Sequence, residues 1–215
     1  MVNTAENRDV RELRRSPAQH LWTDFAVGSV TGDRGVTLCE VPFQTMVGVR
    51  VEPLSEAGRR IGAQLGGLPA ACGEITTGSG ASALWLAPDE FLVIAPDAVT
   101  PNDGGAAALA GRLTAALGDG AGQVVDLSSN RTTFELAGPS ARDVLEKSCA
   151  ADLHPRAFAA GTAITTEVGG IPTVLWKVDA QTFRLFPRAS FADYLGRWLL
   201  DGMREFAATE QPSWC

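Results

Sequence analysis

The sequence predicts an α+β fold: duplicated strand, helix, hairpin, helix units, with antiparallel sheets and helices packed on them. Three observations lead there. Short runs of alternating apolar and polar residues are interleaved with segments of helical period. The same order of segments is met twice, and aromatic landmarks recur at a near-constant interval. Trp85 and Trp176 each precede a turn and are 176 minus 85, or 91, residues apart; Phe91 and Phe183 each follow one and are 183 minus 91, or 92, apart. Each hairpin then runs through a proline, Pro96 or Pro187, into a helix, the mark of an internal repeat.

A chain of 215 residues can bury one domain made of two similar halves. The expected division is an amino-terminal arm over 1–33, a single pseudo-duplicated domain over 34–208 with halves of about 34–120 and 121–208, and a tail over 209–215. The arm is polar, carries charges of both signs and shows no sustained period, so it is expected to be extended rather than packed. Leu21, Trp22 and Phe25 are costly to leave in water and mark it as a docking surface.

In the first half, "GVTLCEVPF" and "TMVGVRVEP" alternate as strands, with Val47, Val49 and Val51 on one face. Ser55 can cap a helix whose Leu54, Ile61 and Leu65 fall on one side. "ASALWLAPDEFLVIAP" reads as a hairpin turning at Pro88, Asp89 and Glu90. "GGAAALAGRLTAALG" is a helix with Leu109, Leu113 and Leu117 in line, closed by Gly118.

The second half repeats this order. "NRTTFELAG" is a strand, and Gly138-Pro139 starts a helix with proline in its tolerated first position. Ala141, Val144, Leu145 and Ser148 form the inner stripe of that helix, while Asp143 and Lys147 are spaced to pair outside. "TAITTEV", "IPTVLWKV" and "TFRLFP" are strands. A last helix aligns Phe191, Tyr194, Leu195, Trp198, Leu199, Met203 and Phe206, with Ser190 and Asp193 as a capping box.

Lys plus Arg number 18 against 25 Asp plus Glu, a net charge of −7, which argues against nucleic acid or an anionic membrane as partner. No apolar stretch reaches the roughly 20 residues of a membrane span. The polar start "MVNTAENRDVRELRRS" lacks the apolar core of a signal peptide, so the expected location is cytoplasmic. Cys39, Cys72, Cys149 and Cys215 are too far apart for the close pairs of zinc or redox motifs, and are read as buried or incidental thiols. His20 and His154 are equally isolated.

Several motifs invite a functional reading and fail on context. "GSGASA", Gly78 to Ala83, has the glycine spacing of a dinucleotide loop, but it is followed by the apolar run of a strand where a helix is required. "NRT" at Asn130 to Thr132 is a sequon without a secretory signal. Asp89 and Glu90 sit where solvated acids are ordinary. Asp126, Ser128, Ser129 and Asn130 can satisfy their own backbone across a tight connection, with Arg131 free to pair with Asp126 or to face a partner; the cluster reads as a fold joint ahead of an active site.

The stretch "VVDLSSNRTTFELAGPSARDVLEKSCAADLHPRAFAAGTA" and the later "FRLFPRASFADYLGRWLLDGMREF" resemble the gamma subunit family of heterotetrameric sarcosine oxidase. "LRRSP", "GVTLCEVPF" and "ALWLAPDEFLVIAP" are similar to it as well, with "APDEF" departing from the Gly and Trp expected at its ends. More distantly, the same half is similar to the folate-binding aminomethyltransferase domain of the glycine cleavage system. Asp126, Leu127 and Ser128 stand at its Asp-Val-Ser segment, and Gly138 to Leu145 at its helix start. Where that family follows a glycine pair with acidic residues, this chain has Gly169, Gly170 and Ile171 and then Pro172, Thr173 and Val174. None of the three can take or give a proton near neutral pH.

The resemblance implies a non-catalytic structural subunit with no catalytic, cofactor-binding or metal residue of its own. It implies alpha, beta and delta companion subunits that hold FAD, covalent FMN, NAD, zinc and tetrahydrofolate. The complex would oxidatively demethylate sarcosine to glycine, forming hydrogen peroxide and 5,10-methylenetetrahydrofolate or formaldehyde. Leu21 to Phe25 and Trp214 are the expected subunit contacts. The alternative reading is a stand-alone folate-binding aminomethyltransferase-like protein or folate-dependent regulator.

Overall fold

The computed structural model describes residues 13–96 and 105–207. A 3-10 turn, Gln19–Leu21, leads into α1 (Trp22–Gly28). The first half continues as β1 (Thr37–Glu40), β2 (Thr45–Val51), α2 (Glu56–Leu65), β3 (Ile75–Gly78), β4 (Ala81–Ala87), β5 (Glu90–Ala95) and α3 (Gly105–Leu117). The second half runs β6 (Gly122–Asp126), β7 (Phe134–Ala137), α4 (Ala141–Glu146), β8 (Thr162–Val168), β9 (Ile171–Lys177), β10 (Thr182–Pro187) and α5 (Ala192–Ala207).

Two antiparallel sheets of five strands result, in the orders β3-β4-β5-β2-β6 and β8-β9-β10-β7-β1. They correspond strand for strand, and the duplication expected from the sequence is present. One feature of the pairing lies beyond any periodicity: β1 leaves its own half to pair with β7, and β6 leaves its own to pair with β2. Each half therefore supplies the edge strand of the other's sheet.

Burial follows from this arrangement. The inner faces of the sheets meet through Met46, Leu84, Leu92 and Ile94 on one side and Ala163, Val174 and Phe186 on the other. Outside the first sheet, α2 and α3 cover Val47, Val49, Phe91 and Val93 with Ile61, Leu65, Leu109 and Leu113. Outside the second, α4 and α5 cover Phe134, Leu136, Phe183 and Leu185 with Val144, Leu145, Leu195 and Leu199. Burying such side chains stabilises the fold by about 1.5–3 kcal/mol each.

Local chemistry sets several element ends as expected. Ser55 Oγ accepts from Gly58 N–H at 2.9 Å to cap α2, although Leu54 is exposed rather than on the inner stripe. Asp143 does not pair with Lys147; Lys147 lies past the end of α4 and reaches Glu205 at 3.0 Å on α5. Ser190 falls in a 3-10 turn ahead of α5 and makes no capping bond, while Asp193 holds His20 Nε2 at 2.7 Å and Arg197 Nε at 3.0 Å.

The amino-terminal segment also departs from expectation. It is not extended over its described part: Ala18, Leu21 and Phe25 are fully buried in the core of the second sheet, and the Phe25 ring meets Phe134 edge to face at 5.8 Å. A single i, i+4 pair is too short a pattern to register as a helical period. Trp22 and Val27 remain exposed on α1, as Phe191 and Tyr194 do on and before α5.

The two tryptophans are not equivalent. Trp85 pairs with Phe91, whereas Phe183 pairs with Lys177, so 92 residues is the structural interval and Lys177 stands in the place of Trp85. Trp85 packs on the helix side of its sheet and Trp176 between the sheets. The buried Lys177 Nζ donates to the Phe158 carbonyl at 2.9 Å.

Exchange of edge strands makes each sheet incomplete without the other half. Residues 34–120 expressed alone are expected to stay unfolded by far-ultraviolet circular dichroism and amide hydrogen exchange, and to gain protection when co-expressed with 121–208. A cooperatively folded isolated half would contradict the exchange.

Candidate functional site

The connections that carry the exchanged strands, 41–44 and 127–133, run side by side and form one polar joint. Leu127 N–H donates to the Met46 carbonyl at 2.8 Å and Val41 N–H to the Thr133 carbonyl at 2.9 Å. Ser128 Oγ accepts from Met46 N–H at 3.0 Å, and Thr133 Oγ1 donates to Gln44 Oε1 at 2.8 Å. Asp126 Oδ1 accepts from Ser128 N–H at 2.9 Å, the local turn expected of an Asp two residues ahead of the amide. Most of the joint's polar groups are thus spent on the joint.

Arg131 does not pair with Asp126. One of its guanidinium nitrogens donates to the Phe186 carbonyl at 2.7 Å, and no carboxylate lies within ion-pair distance among the described residues. Burial draws its pKa below the usual arginine value, the neighbouring Arg188 pushes the same way, and Glu90 opposes them.

The joint contains a carboxylate that the sequence reading overlooked. Glu40 ends β1 and is buried; its Oε1 accepts from Ala18 N–H at 3.1 Å and from Thr132 Oγ1, and its Oε2 from Trp22 Nε1–H at 2.8 Å. These bonds fasten the amino-terminal segment to the joint. A lone acid closing the apolar run "TLCE" was the available signal.

Beside these bonds lies a cavity of about 250 Å³ whose wall includes Ser16, Phe43, Met46, Ser128, Arg15 and Arg131. Phe43 has φ of 58°, a conformation that costs a bulky residue free energy and needs the surroundings to hold it. The Arg14 guanidinium lies 4.1 Å above its ring.

The remaining candidates do not converge there. Ser79 and Gly80 form the turn of the β3-β4 hairpin, with φ of 52° and 78°, so "GSGASA" opens no helix. Asp89 Oδ2 takes Arg50 Nε–H at 3.1 Å and Glu90 lies 3.9 Å from the same guanidinium, all of them solvated. Pro172, Thr173 and Val174 are in β9, with Thr173 buried and Val174 between the sheets. The acid paired beside Pro172 is Glu167, exposed on the edge strand β8. Among the described residues, Cys39 and Cys72 are exposed free thiols and Cys149 a half-buried one, and no cluster of His, Cys, Asp or Glu could hold a metal. Cys215 and Trp214 lie outside the described residues. No helix among those described is long and apolar enough to cross a membrane.

Comparison with known proteins gives a consistent picture. Residues 58–205 match the model of the sarcosine oxidase, gamma subunit family. The chain is 48% identical over 204 residues to the sarcosine oxidase subunit gamma of Corynebacterium sp. (strain U-96), covering 94% of this chain and 96% of that protein. It is 48% identical over 198 residues to the protein of the same name from Arthrobacter sp, covering 91% and 93%. Its fold is similar to a chain of the heterotetrameric sarcosine oxidase from Corynebacterium sp. U-96 in complex with pyrrole 2-carboxylate, with a TM-score of 0.86, 48% identity and coverage of 93% of this chain and 99% of that one. Aminomethyltransferase T of the glycine cleavage system from Bartonella henselae shares the fold alone, at a TM-score of 0.59 and 15% identity over 87% of this chain and 57% of that one.

The Glu40 linkage yields a stability test. Glu40→Ala strands two buried donors and should lower unfolding free energy by about 3 kcal/mol, since an unmet buried donor costs about 1–3 kcal/mol. Urea denaturation would measure it, and amides of α1 should exchange faster than those of α3. Glu40→Gln, which keeps one acceptor oxygen and sets an NH2 group where the other stood, should fall between.

Proposed function

The chain belongs to the sarcosine oxidase gamma subunit family, and from that premise we propose that it is a non-catalytic structural subunit of a heterotetrameric sarcosine oxidase. The observation that carries this reading is the likeness along nearly the whole of both chains to one chain of a heterotetrameric enzyme. The oxidative demethylation of sarcosine to glycine, with hydrogen peroxide and 5,10-methylenetetrahydrofolate or formaldehyde as further products, is then the work of the assembly. Alpha, beta and delta companions hold FAD, FMN, NAD, zinc and tetrahydrofolate, in the cytoplasm, and this chain supplies no catalytic residue.

Chemistry at the joint supports that division of labour. An aminomethyl transfer needs a group that changes protonation near neutral pH, and Pro172, Thr173 and Val174 provide none. Glu40 and Asp126 already accept bonds from the chain's own backbone and side chains. Among the large apolar side chains the molecule exposes are Trp22 and Val27 on α1, Phe191 and Tyr194 at the start of α5, and Leu54 before α2. Large exposed aromatics are the side chains that anchor stable interfaces.

Reconstitution of the complex with and without this chain tests the proposal. Omitting it should lower the yield of assembled complex on size-exclusion chromatography, and with it sarcosine-dependent peroxide formation; unchanged assembly and rate would overturn the structural role. Titration of the isolated chain with tetrahydrofolate should give no saturable heat in the micromolar range. Saturable heat there would favour the folate-binding alternative.

A further inference from the structure

The cavity at the joint is built in a manner that bond-making within the chain does not explain. Its wall holds Arg15 and Arg131 beside Arg14, and no acid among its described residues, on a chain whose net charge is −7. Arg131 is half-buried, and among the described residues its guanidinium donates to a single carbonyl, that of Phe186. Of the described acids close by, Glu40 is committed to Ala18, Trp22 and Thr132 and Asp126 to the Ser128 amide, while Glu90 acts on Arg131 only at a distance and lies 3.9 Å from Arg50. Ser16 adds an independent sign. It lines the cavity and is 6% exposed, and its buried Oγ has no hydrogen-bond partner. A buried hydroxyl without a partner costs about 1–3 kcal/mol, so such groups call for an explanation.

The remaining wall mixes hydroxyl and amide side chains with an apolar strip, and it is held firmly. Val41, Phe43 and Met46 contribute to it. The loop that bears Phe43 is tied down on either side by Val41 N–H to the Thr133 carbonyl, by Gln44 to Thr133 and by Met46 N–H to Ser128. A volume of about 250 Å³ is small beside the ~300–1,000 Å³ of pockets for drug-sized ligands. Planar guanidinium groups match the two oxygens of a carboxylate, and apolar walls favour a single charge on a hydrocarbon body over a highly hydrated dianion.

We propose that this cavity is a carboxylate socket, in which Arg15 and Arg131 take the carboxyl group, Ser16 Oγ donates to it, and Phe43 and Met46 hold a short apolar or aromatic stem. The carboxylate belongs either to a free small molecule or to an acidic side chain of a companion protein. Benzoate contains the required chemistry and serves as the probe.

The test titrates the full chain with benzoate and follows amide shifts by nuclear magnetic resonance, with sodium chloride of equal strength as control. Saturable shifts confined to residues around Ser16, Gln44 and Ser128 are expected. Arg15→Gln, at an exposed position, should weaken binding about tenfold, in line with the loss of one charge-assisted hydrogen bond. Ser16→Ala separates a binding role from a structural one: affinity should fall about threefold while the urea midpoint holds or rises, because the hydroxyl has no bond to lose within the fold. Absence of saturable shifts, an unchanged affinity in Arg15→Gln, or inorganic phosphate displacing benzoate at lower concentration would each overturn the proposal. The assembled complex distinguishes the sources. Retained benzoate binding identifies a free ligand; binding lost on assembly, together with weaker co-elution of Arg15→Glu, identifies a companion's carboxylate.

Discussion

Everything else in the molecule depends on the exchange of edge strands between its halves. A five-stranded sheet in which the fifth strand comes from the other half cannot be completed locally, so the halves fold as one unit or leave an open edge and an uncovered face. The exchange also forces two chain crossings into one place, because both connections pass between the same two sheets. Backbone groups in irregular crossings cannot be satisfied by ladder bonding and must find side chains instead. That need accounts for Ser128 and Asp126 without appeal to catalysis, and the Thr133–Gln44 side-chain bond ties the two connections together.

Symmetry sharpens the comparison between the two acids of the joint. Val93 of β5 and Leu185 of β10 stand at the 92-residue interval, 185 minus 93; Val93 pairs with Val47, which pairs with Asp126, while Leu185 pairs with Phe134, which pairs with Glu40. Asp126 and Glu40 are therefore the same position in the two halves, the last residue of the exchanged strand. Their fates differ: Asp126 is exposed and turns on its own backbone, whereas Glu40 is covered by the amino-terminal segment and bonds to it. One carboxylate of an equivalent pair has been used to attach the amino-terminal segment.

Legibility in the sequence tracked the range of the interaction responsible. The helices over "EAGRRIGAQL" and "AAALAGRLTAAL", the hairpins and the repeated order were readable because periodicity, caps and turn residues are local. Exchange of β1 and β6 was not, since a strand's partner is set by register with residues far along the chain, Thr37 with Ala137 and Val51 with Gly122, about which alternation says nothing. The tryptophans misled by a single residue. Trp85 pairs with Phe91 but Trp176 with Arg184, one position from the equivalent Lys177, and one residue is enough to reverse a side chain's direction in a strand. Leu21 and Phe25 gave a two-point pattern, too little to separate a packed helix from a sticky arm. At the joint, Asp126 and Ser128 were legible as turn formers, but the cavity was not, for it draws Ser16, Phe43 and Arg131 from three distant stretches of chain.

The asymmetry of the amino-terminal segment bears on why an aminomethyltransferase-like fold can serve as a subunit. Reciprocal strand exchange creates a crevice at the crossing of the two connections, whatever the surrounding sequence, since neither sheet's core reaches it. In this chain one acid of the crossing is covered by Ala18 and Trp22 and the other turns on its own backbone. The bonds that hold the crossing together engage Glu40 on both of its oxygens, and a carboxylate cannot accept three internal hydrogen bonds and remain a mobile base.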